Sequence, residues 1–541
     1  MQLLRIIFRC FLVGLAALAI VFVAFTLSPA IRAENADFSA CKSEPSSQCL
    51  TDLGVNLAIN ARPLPPYMRE VGMLAQMGRI EDALALELRV VSERDRPPEN
   101  VEATVNRRLA SHRITAAIRN GIDLDTAIVR TPDVDPGVLW VSALDLLGRN
   151  PYGARTGPRI IPDDQVLGVV SGLAERIARM AQEEPALPQT SHLVYAAELQ
   201  TALGNRTEVI QLLEALPRTN DLRINPSEDL IRLVGSRPVL QLYREAGGSH
   251  PNILLTAASA ETDLSLATEY LERAFTDFSS EEPWPDFDWM ERTVERAANL
   301  GLQSLALEMA RELGNQADTA PSAFPVFPHI KAARALMIAG ADESEVQDRL
   351  ERAQTIFPQN DKEIVGIGFV SGAIAWGSSG LDAQARREIA NLRARLGEVD
   401  ATIQIMDGID DPVFAWNDML TSEIPIETLD GLLDAASDAL AREEHAYIRA
   451  QHAQEMLFSG GTEEQKFWAQ EAATALLQTE ELDGDRAVLI YSTLTRIGTR
   501  LGDQEIQSLA LEKMADAALS SREFSELIAA GFEWYQSRLA P

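Results

Sequence analysis

Apolar residues recur at helical spacing along most of the chain, and few stretches alternate as a half-buried strand would. Met68, Val71, Leu74 and Ala75 lie on one face of a predicted helix, and Gly78 follows them. A glycine in this position typically ends a helix in the left-handed conformation. The apolar spacing resumes directly after it. The pattern therefore predicts two antiparallel helices joined by a short turn.

The same hairpin pattern returns five more times, each time with a glycine at the predicted turn. The six turn glycines are Gly78, Gly204, Gly301, Gly340, Gly397 and Gly502. In two hairpins an alanine follows five residues after the glycine, at Ala83 and Ala306, where a small side chain lets two helices approach closely. The sequence therefore contains a repeated supersecondary unit, although the spacing of the glycines is uneven.

These units resemble degenerate tetratricopeptide-like repeats, which have a turn glycine, an alanine five residues later and often a proline where the second helix ends. Pro217 and Pro358 fit the last element, whereas the aromatic positions of that motif are largely missing. The resemblance covers about half of the chain, and related helical-repeat families remain open. It implies an all-α fold in which helical hairpins stack into an α-solenoid, a superhelix whose concave face binds a protein or peptide.

Two segments rich in proline, serine and acidic residues, 277–289 and 315–328, interrupt the helical pattern near the middle. They suggest a hinge between two helical-repeat segments, which we place at 34–278 and 279–541, after an N-terminal targeting segment at 1–33. Stacked hairpins need protected ends. The amphipathic segment 521–541 is expected to protect one of them, with the apolar residues Phe524, Leu527, Ile528, Phe532 and Trp534.

The N-terminus has the layout of a secretory signal peptide. Arg5 and Arg9 precede an uncharged run over residues 10–27, and small residues allow cleavage after Ala30 or Ala33. A run of this length also suffices to cross a bilayer, so a retained anchor is the alternative. We therefore expect a periplasmic protein of a bacterial envelope, in contact with the inner membrane only if this segment is uncleaved.

Two of the chain's three cysteines, Cys41 and Cys49, lie eight residues apart around a turn-forming stretch. In an oxidising compartment they are expected to form a disulfide, since Cys10 belongs to the targeting segment. The bridge would fix the N-terminus onto the first helix of the array. A redox-active pair is disfavoured because thiol oxidoreductases use a two-residue spacer, and the stretch lacks further metal ligands.

The net charge of the chain restricts the kinds of partner that we expect. The formal net charge is −32, so nucleic acid is not an expected partner, and binding to an anionic membrane surface is disfavoured. Hydrophobic residues make up 46% and charged residues 24% of the chain, which is typical of folded rather than disordered proteins.

Candidate metal and cofactor motifs are weak. His445 and His452 lie seven residues apart, too far to bind one metal together, and are expected to pack or to face solvent. The triad Glu481, Asp483 and Asp485 resembles the start of a calcium loop without its glycine and closing glutamate, so Asp485 is expected to be a helix N-cap.

Short acidic turns account equally well for three Asp-x-Asp pairs: Asp123/Asp125, Asp133/Asp135 and Asp286/Asp288. The glycines at 366, 368 and 372 do not have dinucleotide-fingerprint spacing, and Gly368 and Gly372 are expected to lie on a closely packed helix. We predict no catalytic residue, metal or cofactor, and therefore no enzyme.

One candidate ligand patch combines aromatic and acidic residues: Trp284, Asp286, Phe287, Asp288 and Trp289. Aromatic rings flanked by carboxylates are typical of carbohydrate sites. The leading hypothesis is an exported scaffold for protein–protein interaction. The alternative is a helical carbohydrate-active protein, acting on polysaccharide or peptidoglycan, which as a hydrolase would need two carboxylates within about 10 Å.

Overall fold

The structure, a computed structural model, describes residues 47–60, 69–92, 101–119, 121–131, 134–147, 164–183, 189–217, 226–246, 251–280, 285–319, 325–356, 368–370, 373–375, 378–409, 412–420, 423–458, 461–478, 482, 484–518, 527–529 and 531–532. Within these ranges the chain forms 25 helices and two short strands. In chain order they are α1 (Ser47–Asn60), α2 (Arg69–Gln76), α3 (Ile80–Ser92), α4 (Val101–Arg119), α5 (Leu124–Val129), α6 (Pro136–Leu146), α7 (Asp164–Glu183), α8 (Gln189–Ala202), α9 (Arg206–Glu214), α10 (Glu228–Val234), α11 (Ser236–Glu245), α12 (Asn252–Ala260), α13 (Leu264–Ser279), α14 (Phe287–Asn299), α15 (Gln303–Thr319), α16 (Val326–Ile338), α17 (Glu343–Ile356), β1 (Gly368–Val370), β2 (Ala373–Ala375), α18 (Ser378–Arg395), α19 (Val399–Met406), α20 (Pro412–Met419), α21 (Ile426–Ala439), α22 (Arg442–Phe458), α23 (Glu463–Gln478), α24 (Gly484–Leu501) and α25 (Gln504–Ala518).

The helices pack in chain order as stacked hairpins. From α8 to α21, contacts join sequence neighbours and next-but-one helices, so that the first helix of one hairpin lies against the first helix of the next. The series α12, α14, α16, α18 and α20 shows this arrangement. Such nearest-neighbour stacking is the arrangement of an α-solenoid. The predicted all-α fold of stacked helical hairpins is confirmed.

The contacts divide the chain into two compact units. One unit combines residues 1–116 with residues 442–541. Its cluster of buried side chains from α1 to α4 includes the fully buried Leu74 and Leu86, and also Ile528 from the predicted C-terminal amphipathic segment. Leu527 and Phe532 are buried as well. Residues from both ends of the sequence therefore share one core.

The other unit comprises residues 117–441. Its main core cluster begins at Ala181 and continues to Leu392. Phe278 and Phe287, on either side of the predicted hinge, belong to this one cluster. The predicted boundary at 278/279 thus lies inside the second unit, and the contacts divide the described chain at other positions.

The described residues of the two segments predicted to be irregular are mainly helical, and residues 281–284 and 320–324 lie outside the described ranges. Helix α13 continues to Ser279 and α14 begins at Phe287, while α15 continues to Thr319 and α16 begins at Val326. The prediction placed too much weight on proline and acidic residues, which are well tolerated in the first turn of a helix.

All six glycines predicted at hairpin turns have positive φ angles, between 66° and 82°. At Gly78 the backbone N–H donates to the carbonyl of Ala75 at 3.0 Å, and the N–H of Arg79 donates to the carbonyl of Leu74 at 2.9 Å. The same pair of bonds recurs at the other five turns. This is the Schellman motif, which satisfies the last carbonyls of a helix and favours glycine because of its positive φ.

A seventh turn of the same kind, which was not predicted, lies at Gly121 with φ 80°. Its N–H donates to the carbonyl of Ile118, and that of Ile122 donates to the carbonyl of Ala117. The small residues predicted at the closest approach of two helices, Ala83 and Ala306, are both fully buried.

The helix predicted around Gly368 and Gly372 is wrong. The described residues there form β1 and β2, paired antiparallel with Gly368 opposite Ala375 and Val370 opposite Ala373. Glycine disfavours a helix interior, and valine, isoleucine and phenylalanine favour strands, so the local composition supports a hairpin. At three residues per strand, this hairpin leaves the helical architecture unchanged.

Candidate functional site

Aspartates of the three Asp-x-Asp pairs serve as helix N-caps. Asp286 accepts hydrogen bonds from the backbone N–H groups of Asp288 and Trp289, both at 3.1 Å, and so begins α14. Asp123 and Asp135 cap α5 and α6 in the same manner. The hydrogen bonds from Thr126 hold the pKa of Asp123 below its usual value. The predicted acidic turns are therefore helix starts.

The predicted ligand patch separates into different environments. Phe287 is buried in the core, and Trp284 lies outside the described residues. Asp288 forms an ion pair with Lys331 on the neighbouring first helix α16. Among the four described members of the patch, Trp289 lines an open cavity. The patch is thus not a single binding surface.

Asp288 belongs to a charge ladder, which we define as Asp288, Glu291, Lys331, Arg334 and Glu388. Glu291 lies 3.4 Å from Lys331 and 3.0 Å from Arg334, and Arg334 lies 3.0 Å from Glu388. Members come from α14, α16 and α18, so the ladder joins three consecutive first helices.

The bases of the charge ladder are held in their charged form. Burial would lower the pKa of Lys331, but Glu291 and Asp288 outweigh it and the pKa lies above its usual value. Burial likewise opposes the charge of Arg334, and Glu291 and Glu388 raise its pKa in turn. Because each base lies between two acids on different helices or turns, the ladder is better suited to holding helices together than to proton transfer.

Trp289 packs between the core and a cation. Its ring stacks on Phe278 with centroids 5.6 Å apart and planes 10° apart. The guanidinium carbon of Arg292 lies 4.6 Å from the indole centroid. Because Phe278 is fully buried and Arg292 is exposed, the indole contacts the core on one side and the arginine toward solvent.

A cavity of about 300 Å³ opens between α12 and α14. Its lining residues are Asn252, Leu255, Thr256, Trp289, Arg292, Glu295, Arg296 and Asn299. Arg296 is oriented by Glu228 on α10, at 3.5 Å. Six of the eight lining side chains are polar, so the cavity is suited to a small polar ligand.

The cavity does not provide the acid pair of a glycosidase. Among its lining residues Glu295 is the single carboxylate, whereas hydrolysis of a glycosidic bond uses two. No group of three or more potential metal ligands occurs among the residues that the structure describes.

The predicted histidines have different surroundings. His452 is 2% exposed and its ring contacts Trp468 edge-on, with centroids 6.0 Å apart. Burial lowers the pKa of His452 to about 4. His445 is half-buried on the same helix.

Helix α24 begins at Gly484, so Asp485 lies in its first turn. The N-cap position is therefore 483, and the prediction for Asp485 is wrong by two residues. The other two acids of the predicted triad, Glu481 and Asp483, lie outside the described residues.

The N-terminal predictions fall mostly outside the described residues, which begin at residue 47. Cys49, on α1, is disulfide-bonded. Its predicted partner Cys41 is not among the described residues, so the pairing stays a prediction. No helix in the described ranges is long and apolar enough to cross a membrane.

Sequence reasoning missed most of the cavity. Arg292, Arg296 and Asn299 recur at spacings of four and three residues from one another, a signal for one face of a helix that was available in the sequence. Asn252 and Thr256 belong to a different hairpin, and their proximity to Trp289 follows only from the stacking of α12 on α14.

Comparison with known proteins gives limited information. No protein-family model and no curated protein matches the sequence. Among solved structures, the chain is similar to a circular tandem repeat protein with novel repeat topology and enhanced subunit contact surfaces. The identity is 16%, the match covers 91% of this chain and 98% of that chain, and the TM-score is 0.17. The fold assignment given above follows from the helix contacts of this chain.

Proposed function

We propose that the protein is an exported scaffold of the bacterial envelope, which binds a protein or peptide partner through the surface of its stacked helices. The observation that carries this proposal is the nearest-neighbour stacking of the hairpins. Because stacked hairpins bury mainly the sides that face their neighbours, the remaining sides form an extended exposed surface. Repeat proteins bind partners through such surfaces.

The proposed location derives from the sequence. The charged and apolar pattern of residues 1–33 supports export, and the high negative charge argues against nucleic acid as the partner. Mass spectrometry of the mature protein tests this part. A start near Ile31 or Glu34 supports cleavage and a periplasmic protein, whereas an intact N-terminus supports an anchored one.

The partner is tested by crosslinking and affinity capture of the full chain from the envelope fraction of the native cell. We expect one or a few proteins to be captured in constant ratio to the tagged chain. Their capture should be lost at a high detergent concentration and should be unaffected by nuclease treatment. If the tagged chain is captured without a partner, and native mass spectrometry detects only the uncomplexed chain, the scaffold role is contradicted.

A second candidate is carbohydrate binding, favoured by the polar cavity that Trp289 borders. Binding without hydrolysis is the form that the cavity supports, because Glu295 is its single carboxylate. Incubation with polysaccharide and peptidoglycan checks this point. We expect no release of reducing ends. Release by the wild type contradicts binding without hydrolysis, and release that persists in the Glu295→Gln variant shows that the hydrolysis takes place outside this cavity.

A further inference from the structure

We propose that the cavity between α12 and α14 binds an anionic saccharide, a sugar ring that bears a carboxylate as hexuronic acids do. This inference rests on the second candidate function, carbohydrate binding, and is independent of the scaffold role. A volume of about 300 Å³ is at the lower end of ligand sites and accommodates about one or two sugar rings.

The cavity-lining side chains lie on facing sides of two helices. Trp289, Arg292, Arg296 and Asn299 recur on one side of α14 at spacings of three or four residues. Asn252 and Thr256, four residues apart, present the matching side of α12. Regular helices hold both rows, so the positions of the polar groups are set before a ligand arrives.

The charge at the cavity selects an anion. Arg292 has no ion-pair or hydrogen-bond partner among the described residues, and its recorded contact is with the indole of Trp289. Arg296 keeps donors available because its contact with Glu228, at 3.5 Å, uses one of its nitrogens. Glu228 contacts Arg296 but is shared with Arg232, at 2.8 Å. Three guanidinium groups at and beside the cavity thus outweigh the carboxylates of Glu228 and Glu295, in a chain whose net charge is −32. Guanidinium binds carboxylate through two parallel hydrogen bonds.

The remaining polar groups suit hydroxyls. The amide of Asn299 offers donors and an acceptor, and the carboxylate of Glu295 offers acceptors. The hydroxyl of Thr256 donates to the carbonyl of Asn252 at 3.3 Å, which leaves its oxygen as an acceptor. Donors and acceptors alternating around a small space match a polyhydroxylated ring better than an apolar peptide side chain.

Trp289 explains why the ligand is charged and not neutral. Neutral sugars are commonly held by stacking on an open aromatic face. Here Phe278 and Arg292 already contact the indole ring, so an incoming sugar would have to displace the guanidinium. Recognition therefore depends on hydrogen bonds and charge.

Calorimetric titration of the full chain with digalacturonic acid tests the proposal, with galactobiose as the neutral counterpart and the dipeptide glutamyl-glutamate as an acidic peptide. We expect digalacturonic acid to bind at least about tenfold more tightly than either comparator. Arg292→Ala should weaken its binding by about tenfold or more, since a bidentate, charge-assisted contact is lost.

The matched control is Arg273→Ala, which removes an exposed arginine of the same unit from α13, outside the cavity, and should change the affinity less than about twofold. Arg292→Lys keeps the positive charge but loses the planar guanidinium group. Its affinity for digalacturonic acid should lie between those of the wild type and Arg292→Ala. Circular dichroism confirms that each variant is folded.

Three results overturn the proposal: absence of digalacturonic acid binding, equal affinity for galactobiose, or undiminished binding by folded Arg292→Ala. Equal or tighter binding of glutamyl-glutamate also overturns it and assigns the cavity to acidic peptides. Failure of sugar binding leaves the envelope capture experiment unaffected, so the two functions are tested separately.

Discussion

At His452 an imidazole lies in an apolar interior, and neither ring nitrogen has a hydrogen-bond partner among the described residues. The ring is 2% exposed and contacts the edge of Trp468. The sequence predicted a packing or surface histidine rather than a metal ligand, and the described surroundings are those of a packing residue. Burial of a polar group without hydrogen bonds is unfavourable, and it becomes more so when the group is charged.

The first prediction concerns pH. The pKa of His452 is about 4 in the folded chain and near 6.5 when unfolded, so the unfolded state binds more protons between these values. Folding stability from this group is fully present above pH 6.5 and is lost as pH falls toward 4. At pH 5 the loss is about 2 kcal/mol. Urea unfolding of wild type and His452→Leu at pH 7.5 and pH 5 measures it.

Because many carboxylates also titrate in this range, the test is the difference between the two proteins. His452→Leu should lose about 2 kcal/mol less than wild type between these pH values. The matched variant is Met456→Leu, a fully buried residue of the same helix that does not titrate, which should follow wild type. Parallel pH dependence of wild type and His452→Leu would show that His452 is not held neutral by burial.

At the scale of helices, close backbone contact joins α24 to α25. A Cβ atom added at Gly498 would lie 2.7 Å from the backbone nitrogen and 3.0 Å from the Cα of Gln507. Backbone atoms cannot rotate away as a side chain can. The helix pair therefore depends on a glycine inside α24, in addition to the turn glycine Gly502.

We expect Gly498→Ala to destabilise this unit by about 1 to 3 kcal/mol, because the two helices must move apart. The matched variant is Gly72→Ala on α2, where an added Cβ meets nothing within 4 Å. That change should raise stability by about 0.5 to 1 kcal/mol through helix propensity. Equal midpoints for the two variants in thermal unfolding would contradict the close contact.

The charge ladder gives a third prediction. Glu291 is partly buried between Lys331 and Arg334. Glu291→Ala leaves Lys331 with Asp288 and Arg334 with Glu388, so each cation loses one of its two carboxylates, and the change should cost about 1 to 3 kcal/mol. The comparison is Glu345→Ala, which breaks the exposed, bidentate pair with Arg311 on α15 and should cost at most about 1 kcal/mol. Chemical denaturation measures the free energy of unfolding of both variants. If Glu291→Ala is as stable as the wild type, the charge ladder does not contribute to stability.

Local signals account for what the sequence predicted of these elements. Apolar spacing and a following glycine together define a hairpin within about twenty residues, and six turns were located from them. Gly121 was missed because the helix that follows it, α5, has only six residues, too few to show a repeating apolar spacing. Residues 368–375 were mispredicted because a glycine pair was interpreted as a site of close helix packing. The described strands show that the sequence there favours extended backbone.

At the scale of the molecule, contacts between residues far apart in the chain could not be predicted from the sequence. The C-terminal segment was predicted to be amphipathic, but nothing in its composition identifies the core of α1 to α4 as its site of packing. The cavity has the same origin, since α12 and α14 meet only through the stacking of hairpins. Periodicity identifies which side of a helix is buried and does not identify the partner.

The fourth prediction concerns Ile528. Because it is fully buried against residues from α1 to α4, Ile528→Ala should destabilise that unit by about 2 to 4 kcal/mol. Hydrogen exchange measured by mass spectrometry should show faster exchange in residues 69–92, more than 400 positions away in sequence.

The control is Leu509→Ala on α25, where the side chain is 37% exposed, which should leave exchange in residues 69–92 unchanged. If Ile528→Ala alters exchange only near its own position, the shared core is not a cooperative element.

The shared core also bears on the order of synthesis. Residues 47–116 are synthesised before residues 117–441, so Ile528 is added to their core only after the roughly 325 residues of the other unit have been made. At the usual speed of ribosomes this takes roughly 15 to 65 s. Throughout that interval the core of α1 to α4 has a gap where Ile528 will lie, so the earliest helices reach their final packing only late in synthesis.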